Sequence, residues 1–345
     1  MACYLITGGA GFFGSILKKH FLSLGAECVS IDLEIDNFKH KKFTSYQGDI
    51  NDDKLMEEVF SKHKFDAIFH CAALLAHVKK DLKNLWYANV DGTKNVCKFA
   101  LQNNIKKIVF VSSNCLWAKN FDDLVLETEE PNPEEIYGKS KLECEKILLS
   151  YRDKINSIIF RSPTIMDEGR LGLLGILFEF IDENRKLPMV GSGKNRYQFI
   201  YAKDLARAFE LAVTADYSEV FNVGSDDVKT FNEVYEYVIK KSGSKTKLIH
   251  FPKLPMIWAM KICFWLGISP LGPYQYKMIA SSFVFDTSKI KEKLGFVPTL
   301  KNEEMLLRAY EFYHKNKKEI LNRKNVSAHN SVAKMGVIKI LKWFM

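Results

Sequence analysis

The sequence predicts an α/β protein, with a doubly wound parallel sheet and then a smaller, mixed α/β lobe. Three observations carry that expectation. Short apolar runs alternate with stretches of helical period up to about residue 165, as repeated strand–helix units do. A glycine-rich turn, "LITGGAGFFGS", joins the first apolar run to the first helical stretch. The segments "GGAGFFG", "HCAALLAH", "SSNCLW" and "RSPTIM" each follow a predicted strand, at the end of an open parallel sheet where ligands bind.

The elements follow in order. "CYLIT" reads as a buried strand, and "FFGSILKKHFLSLG" as a helix with Phe13, Ile16, Leu17, Phe21 and Leu24 on one face and Gly25 at its end. "ECVSIDL" is a second strand closing on Asp32. Gly8, Gly11 and Gly14 then occupy the turn of a βαβ unit. They serve the tight bend, the backbone's approach to a pyrophosphate and close helix packing, with phosphate meeting N–H groups at the helix start. This is a Rossmann-type dinucleotide site, with Phe12 and Phe13 packing the helix and flooring the cofactor. Asp32, about 20 residues on, accepts from ribose hydroxyls and repels a 2′-phosphate. No Arg follows it directly, so the expected cofactor is NAD rather than NADP.

Alternation continues through strand "FTSYQGDI", helix "DDKLMEEVFSKH", strand "DAIFHCAA" and the long helix "DLKNLWYANVDGTKNVCKFALQNN". Strand "KKIVFVSS", helix "KSKLECEKILLSY" and strand "INSIIFRSP" complete the first part. In "IYGKSKLE", Tyr137 and Lys141 stand four residues apart, on one helix face. An ammonium beside a phenol favours the phenolate and suits it to proton exchange near neutral pH, with a hydroxyl from "VSSN" to bind the reacting oxygen. His70 reads as structural, beside His77, and Cys71 and Cys115 as small apolar residues. The acidic segment Asp122–Glu135 reads as a solvated loop over the site, and "LPMIWAMKICFWLGI" as a packed core helix in preference to a lipid-facing surface. A last helix is expected over Asn302–Lys315.

Composition narrows the function classes. The chain has 345 residues, 47% hydrophobic and 26% charged. Its seven cysteines are scattered without a CxxC pair, which fits a reducing, cytoplasmic setting and no metal site. No basic leader and no apolar run long enough to span a bilayer are seen, so neither a signal peptide nor a transmembrane span is expected. Much of the formal +9 lies after His314, where Lys315, Lys317, Lys318, Arg323, Lys324, Lys334, Lys339 and Lys342 face only Glu319. A near-neutral body with a basic tail argues against nucleic-acid binding. The ending "VAKMGVIKILKWFM" reads as a basic amphipathic helix, suited either to peripheral membrane contact at the inner face of the membrane or to docking on its own body or a dimer partner.

The segments TGGAGFFG, IDL, GDI, HCAA, NVDGT, VSS, YGKSK, RSP and GSGKNRYQFIYAKDLA together resemble the extended short-chain dehydrogenase/reductase superfamily, in its nucleotide-sugar epimerase/dehydratase branch, over about residues 2–315. That resemblance implies Asp49 and Ile50 around the adenine, Ala72 and Ala73 along the cofactor, Asn89 as a support, and Pro163 beside the nicotinamide. It implies Tyr137 as acid/base, with Lys141 also on the nicotinamide ribose, and Ser113 as the catalytic hydroxyl with Ser112 at the cofactor. Asn114, Thr164 and Arg196 are assigned to the substrate. Arg196 falls one place upstream of the family's usual arginine. The family's 4,6-dehydratases carry an Asp-Glu pair after the catalytic hydroxyl, whereas Asn114 and Cys115 stand here, so dehydration is disfavoured. The expectation is an NAD-dependent epimerase acting at a sugar carbinol, C4, in glycan or glycoconjugate biosynthesis, working as a homodimer. Two alternatives are a dehydrogenase of a hydroxysteroid, isoprenoid or keto-sugar and a non-catalytic NAD-sensing scaffold. Expected boundaries are 1–165 for the NAD-binding domain, 166–318 for an interleaved substrate lobe and 319–345 for the tail.

Overall fold

A computed structural model describes residues 1–75, 82–268 and 273–322. Seven parallel strands form the central sheet: β1 (Cys3–Thr7), β2 (Glu27–Asp32), β3 (Phe43–Gln47), β4 (Ala67–His70), β5 (Lys107–Ser113), β6 (Asn156–Ser162) and β10 (Glu219–Asn222). Their spatial order is β10-β6-β5-β4-β1-β2-β3, so the winding reverses between β1 and β4. The crevice at that reversal is where doubly wound sheets bind ligands.

Alternate residues of each strand feed two cores, one on each face. Ile6, Phe69, Val109 and Phe160 meet Leu17 and Phe21 of α1 (Phe12–Ser23) and Leu205 and Phe209 of α7 (Ala202–Val213). Leu5, Ile68, Ile108 and Ile159 meet α2 (Asp53–Lys62), α4 (Gly92–Gln102) and α5 (Ile136–Ser150) through Met56, Val59, Val96, Ala100 and Leu148. Full burial of each such side chain stabilises the fold by roughly 1.5–3 kcal/mol. Both faces are covered, which is why these strands read as continuous apolar runs.

The second lobe has its own core. It contains the parallel pairs β7 (Thr164–Met166) with β9 (Phe199–Tyr201) and β8 (Leu187–Val190) with β11 (Leu248–Phe251). Packed with them are α6 (Leu174–Asp182), α8 (Phe231–Ser242) and α12 (Asn302–Asn322). A Thr230–Glu233 capping box starts α8, and Gly243 at φ 70° ends it. The chain returns to the main sheet through α7 and β10, so the two lobes are interleaved in sequence.

Four segments differ from their expected form. The long helix contains α3 (Leu82–Trp86), a π-helical turn (Tyr87–Asp91) and α4. The last helix runs on to Asn322 with Ile320 buried in the lobe core, so the 318/319 boundary falls inside an element. The acidic segment is stitched to the lobe: Val125 is buried and bridges to Phe285, and the Asn222 N–H donates to Glu127. Finally, α9 (Lys253–Trp265) is an exposed helix and not a core one, with only Met260 fully buried. It packs against α10 (Pro273–Ala280), and α11 (Ser288–Leu294) follows. His77 and the expected tail helix lie outside the described residues.

Candidate active site

The glycine turn is built by close backbone approach. Gly8, at φ 75°, passes so near the strand-end loop after β4 that a Cβ there would lie 2.7 Å from the Ala72 nitrogen. A Cβ on Gly14 would lie 2.1 Å from the Gly8 carbonyl oxygen. Gly11 is the N-cap of α1 and brings no side chain to its first turn, leaving that end suited to an anion. Phe13 is buried against Phe209, while Phe12 lies under the Arg170 guanidinium at 5.5 Å. Behind the turn, buried Lys18 pairs with Asp36 and donates to the Gly9 carbonyl, a support the sequence reading missed.

Asp32 closes β2 beside the turn. One of its carboxylate oxygens accepts from Ala10 N–H at 2.9 Å and the other from Glu34 N–H at 3.0 Å. Each oxygen keeps a second lone pair for a ribose hydroxyl. Asp49 accepts from the Asn51 backbone, Ile50 is buried against Gly92, Ala72 N–H donates to the Thr7 hydroxyl, and Ala73 is exposed. A turn that demands glycine, an uncapped helix start and a carboxylate at the neighbouring strand end fit a dinucleotide such as NAD.

Asn89 sits in the π-helical turn, a distortion frequent at functional sites. Its side chain accepts from Leu74 N–H at 2.7 Å and donates to the Leu74 carbonyl and the Ser140 hydroxyl. It therefore ties the loop after β4 to the first turns of α5. His70 beneath is fully buried between the Thr7 and Thr93 hydroxyls, and burial pushes its pKa down to about 3. Burial pushes the Cys71 thiol up to about 12, which leaves it a poor nucleophile.

The Ser113 hydroxyl lies beside the Tyr137 phenol and pulls its pKa down. Ser113 also accepts from Cys115 N–H at 3.1 Å, capping the short 3-10 turn Asn114–Leu116. Burial pushes the Tyr137 phenol up, neighbouring Cys115 and Cys144 add to that, and the Ser113 hydroxyl and Arg170 pull it down. Lys141, expected to be the charge that acidifies the phenol, follows Tyr137 by one turn of α5. Its ammonium donates to the Val111 carbonyl at 2.7 Å, over the Phe110 ring, and burial pushes its own pKa down. Arg170, which the sequence does not single out, is a cation whose charge reaches Tyr137.

The Ser112 hydroxyl donates to Glu145. Glu145 is buried in a forked pair with Arg161, at 2.8 Å for the closest contact, and Arg161 donates to the Glu127 carbonyl. This network locks α5, and with it Tyr137 and Lys141, to the ends of β5 and β6.

On the substrate side, the Asn114 amide donates to the Tyr197 hydroxyl at 2.7 Å. These two residues help line a cleft of about 60 Å³ with Trp117, Glu134, Met278 and Phe283. Pro163 is buried, and Thr164 opens β7. Arg196 has an exposed side chain whose charge reaches Glu233, while its backbone binds Ser282 and Phe283. Tyr197, one residue on, faces the cleft, and the alternation of side chains along an extended chain separates the two.

The profile of the NAD dependent epimerase/dehydratase family matches residues 4–224. An uncharacterized protein, y4nG of Sinorhizobium fredii, is 32% identical over 342 residues, 98% of this chain and 85% of that protein. A UDP-glucose 4-epimerase of Lacticaseibacillus casei is 30% identical over 251 residues, 64% of this chain and 75% of the relative. The crystal structure of UDP-glucose 4-epimerase with UDP-glucose from Thermotoga maritima shares the fold at a TM-score of 0.74 and 23% identity, covering 91% of this chain and 99% of that one. With its glycine turn, its strand-end acid, Ser113 at the end of β5 and Tyr137 on α5, this chain belongs to the NAD-dependent epimerase/dehydratase family, enzymes of the extended short-chain dehydrogenase type.

Proposed function

We propose that the enzyme is a redox-neutral 4-epimerase of a nucleotide sugar, with NAD as its resident cofactor. The observation that carries the reading is the Ser113 hydroxyl beside the Tyr137 phenol, with an amide, Asn114, at the next position. Bound NAD supplies a hydride acceptor and then, in epimerisation, the donor that returns the hydride. Ser113 and Tyr137 bracket the carbinol oxygen. Tyr137 takes the O–H proton as the carbonyl forms and gives it back when the carbinol is restored. Asn114 cannot supply the proton that elimination of a C6 hydroxyl requires, because an amide is no acid at neutral pH. Seven free cysteines support the cytoplasmic assignment, and a homodimer belongs to the same reading.

A second reading, oxidation of a less polar secondary alcohol, is favoured by the cleft walls Trp117, Met278 and Phe283 and by Tyr197 beside them. One experiment separates the two. The purified enzyme is given NAD with a panel of UDP- and GDP-sugars, or with sterol and isoprenoid alcohols, while C4 configuration is followed by NMR and NADH by absorbance. Exchange at C4 without net NADH supports epimerisation. NADH accumulation with the apolar alcohols replaces it with the dehydrogenase reading. Bound NAD with neither activity across the panel sinks both in favour of a cofactor-sensing role.

A further inference from the structure

Soluble surface helices keep polar residues on the face away from the core, and α9 does not. Its inner side is conventional: Met256, Ile257 and Met260 pack with Val190, Tyr276 and Ala280. Its outer side carries Leu254, Trp258, Ile262 and Trp265, which are 70%, 64%, 54% and 82% exposed. These four recur at three- and four-residue steps, so they form one stripe along the helix. Leu266 and Ile268 extend it beyond the helix end and are also exposed. From Lys253 to Ile268 the only charged residues are Lys253 and Lys261, and Lys261 lies over the Trp258 ring. A contiguous exposed apolar patch of this kind needs an apolar phase to cover it.

We infer that α9 seats in the interfacial layer of an anionic membrane. Its composition selects that occupant over a protein surface. Two tryptophans on one helical stripe suit the boundary between headgroups and acyl chains. Two lysines without an acidic residue suit anionic headgroups, and the long lysine stems reach outward while the apolar face stays buried. Among the described residues no helix is long and apolar enough to cross a membrane, so the helix lies in the interface and does not span it. The patch also adjoins the candidate cleft. The inner side of α9 packs on α10, whose Met278 and the following Ser281, Ser282 and Phe283 line the cleft beside Asn114. Seating α9 therefore brings one wall of that cleft close to the lipid surface. The inference goes beyond the proposed reaction and stands whether the substrate is a sugar nucleotide or an apolar alcohol.

The test is co-sedimentation of the full-length protein with vesicles of phosphatidylcholine alone or mixed with phosphatidylglycerol. Wild type, Trp258→Glu and Trp265→Glu are compared with Val297→Glu, a control at another exposed apolar position (62% exposed). Wild type and Val297→Glu bind the mixed vesicles alike. Each α9 variant loses roughly tenfold or more of its partitioning, since it removes apolar contact and sets an anion against anionic lipid. Wild-type partitioning retained in the α9 variants overturns the inference and places any binding elsewhere, in the C-terminal tail for example. Absence of wild-type binding overturns it as well. So does a wild-type dimer that Trp258→Glu turns into a monomer with vesicle binding unchanged, because a second copy then covers the stripe. Should a glutamate variant fail to fold, quenching of tryptophan emission by bromine-labelled lipid decides the matter. The inference requires that quenching in wild type and its reduction in Trp258→Tyr and Trp265→Tyr.

Discussion

Replacing Gly14 by alanine puts a methyl carbon 2.1 Å from the Gly8 carbonyl oxygen and 2.9 Å from both Gly8 C and Gly9 Cα. All three are backbone atoms of the glycine turn, so no side chain can swing aside. In Gly11→Ala the nearest atom is the same oxygen, but at 3.2 Å, a contact that a shift of a few tenths of an ångström relieves. Overpacking of this kind costs about 1–3 kcal/mol, and the structure dictates where that cost shows. If the turn holds its place, the strain lowers the stability of the fold. If the turn moves, the N–H groups of α1 leave their positions and the cofactor's pyrophosphate is bound less well. At 1.4 kcal/mol per decade, full relief by movement weakens NAD binding by about 5- to 150-fold. Titration calorimetry with NAD and thermal unfolding without it measure the two parts, whose sum for Gly14→Ala falls in that range. Gly11→Ala stays within about 1 kcal/mol of wild type on both. Wild-type affinity and stability in Gly14→Ala, or a larger loss in Gly11→Ala, would refute the assignment of this turn as a tightly packed phosphate cradle.

Four further outcomes are expected. Tyr137→Phe loses about 10²–10⁴-fold in kcat and still binds NAD in calorimetry, because Ser113 keeps its Cys115 partner; near-normal turnover would move the acid/base role elsewhere. Asp32→Ala weakens NAD binding more than NADP binding, and tighter NADP than NAD binding to the wild type would end that reasoning. Arg170→Met shifts the ascending limb of the pH–rate profile to higher pH: the phenolate is the base, Arg170 holds its pKa down, and losing the cation raises it. An unmoved limb would show that Arg170 does not tune Tyr137. Glu145→Ala strands the Arg161 charge in the interior and costs about 3–5 kcal/mol in a urea unfolding experiment; a much smaller loss would mean that water replaces the carboxylate there.

The cofactor half of the site was legible in the sequence because its determinants are local. The glycine turn, the helix it opens and the acid at the end of β2 lie within one βαβ unit, and short-range spacing is what a single sequence displays. The substrate half depends on pairs distant along the chain. Asn114 and Tyr197 stand 83 residues apart, and nothing near either marks the other as a partner. Arg196 drew attention as the arginine of its motif, yet alternation of side chains turns Tyr197 toward the cleft and leaves Arg196 outside. The same limit hid the role of Ser112. The family resemblance implied a cofactor contact, and the structure adds a partner for its hydroxyl in Glu145 on α5, 33 residues later. The apolar segment of α9 misled for a different reason. Composition counts apolar residues without regard to side, and this helix is apolar on the face against α10 and again on the face toward solvent.

The Tyr137–Lys141 spacing poses a subtler case, since it pointed to α5 and gave no sign of Arg170. One helical turn brings Lys141 behind Tyr137, and there the ammonium is held by the Val111 carbonyl at the end of β5. That contact anchors α5 to the sheet. The charge that pulls the phenol's pKa down arrives from Arg170, which follows β7 in the second lobe and rests over Phe12 at the start of α1. Arg170 thus stands between the glycine turn and the candidate proton-transfer group, on a segment belonging to neither. Because a Coulomb interaction weakens with distance, the acidity of Tyr137 depends on how the second lobe is seated against the sheet. Loss of that cation in Arg170→Met therefore raises the phenol's pKa while the Lys141 anchor on Val111 stays in place.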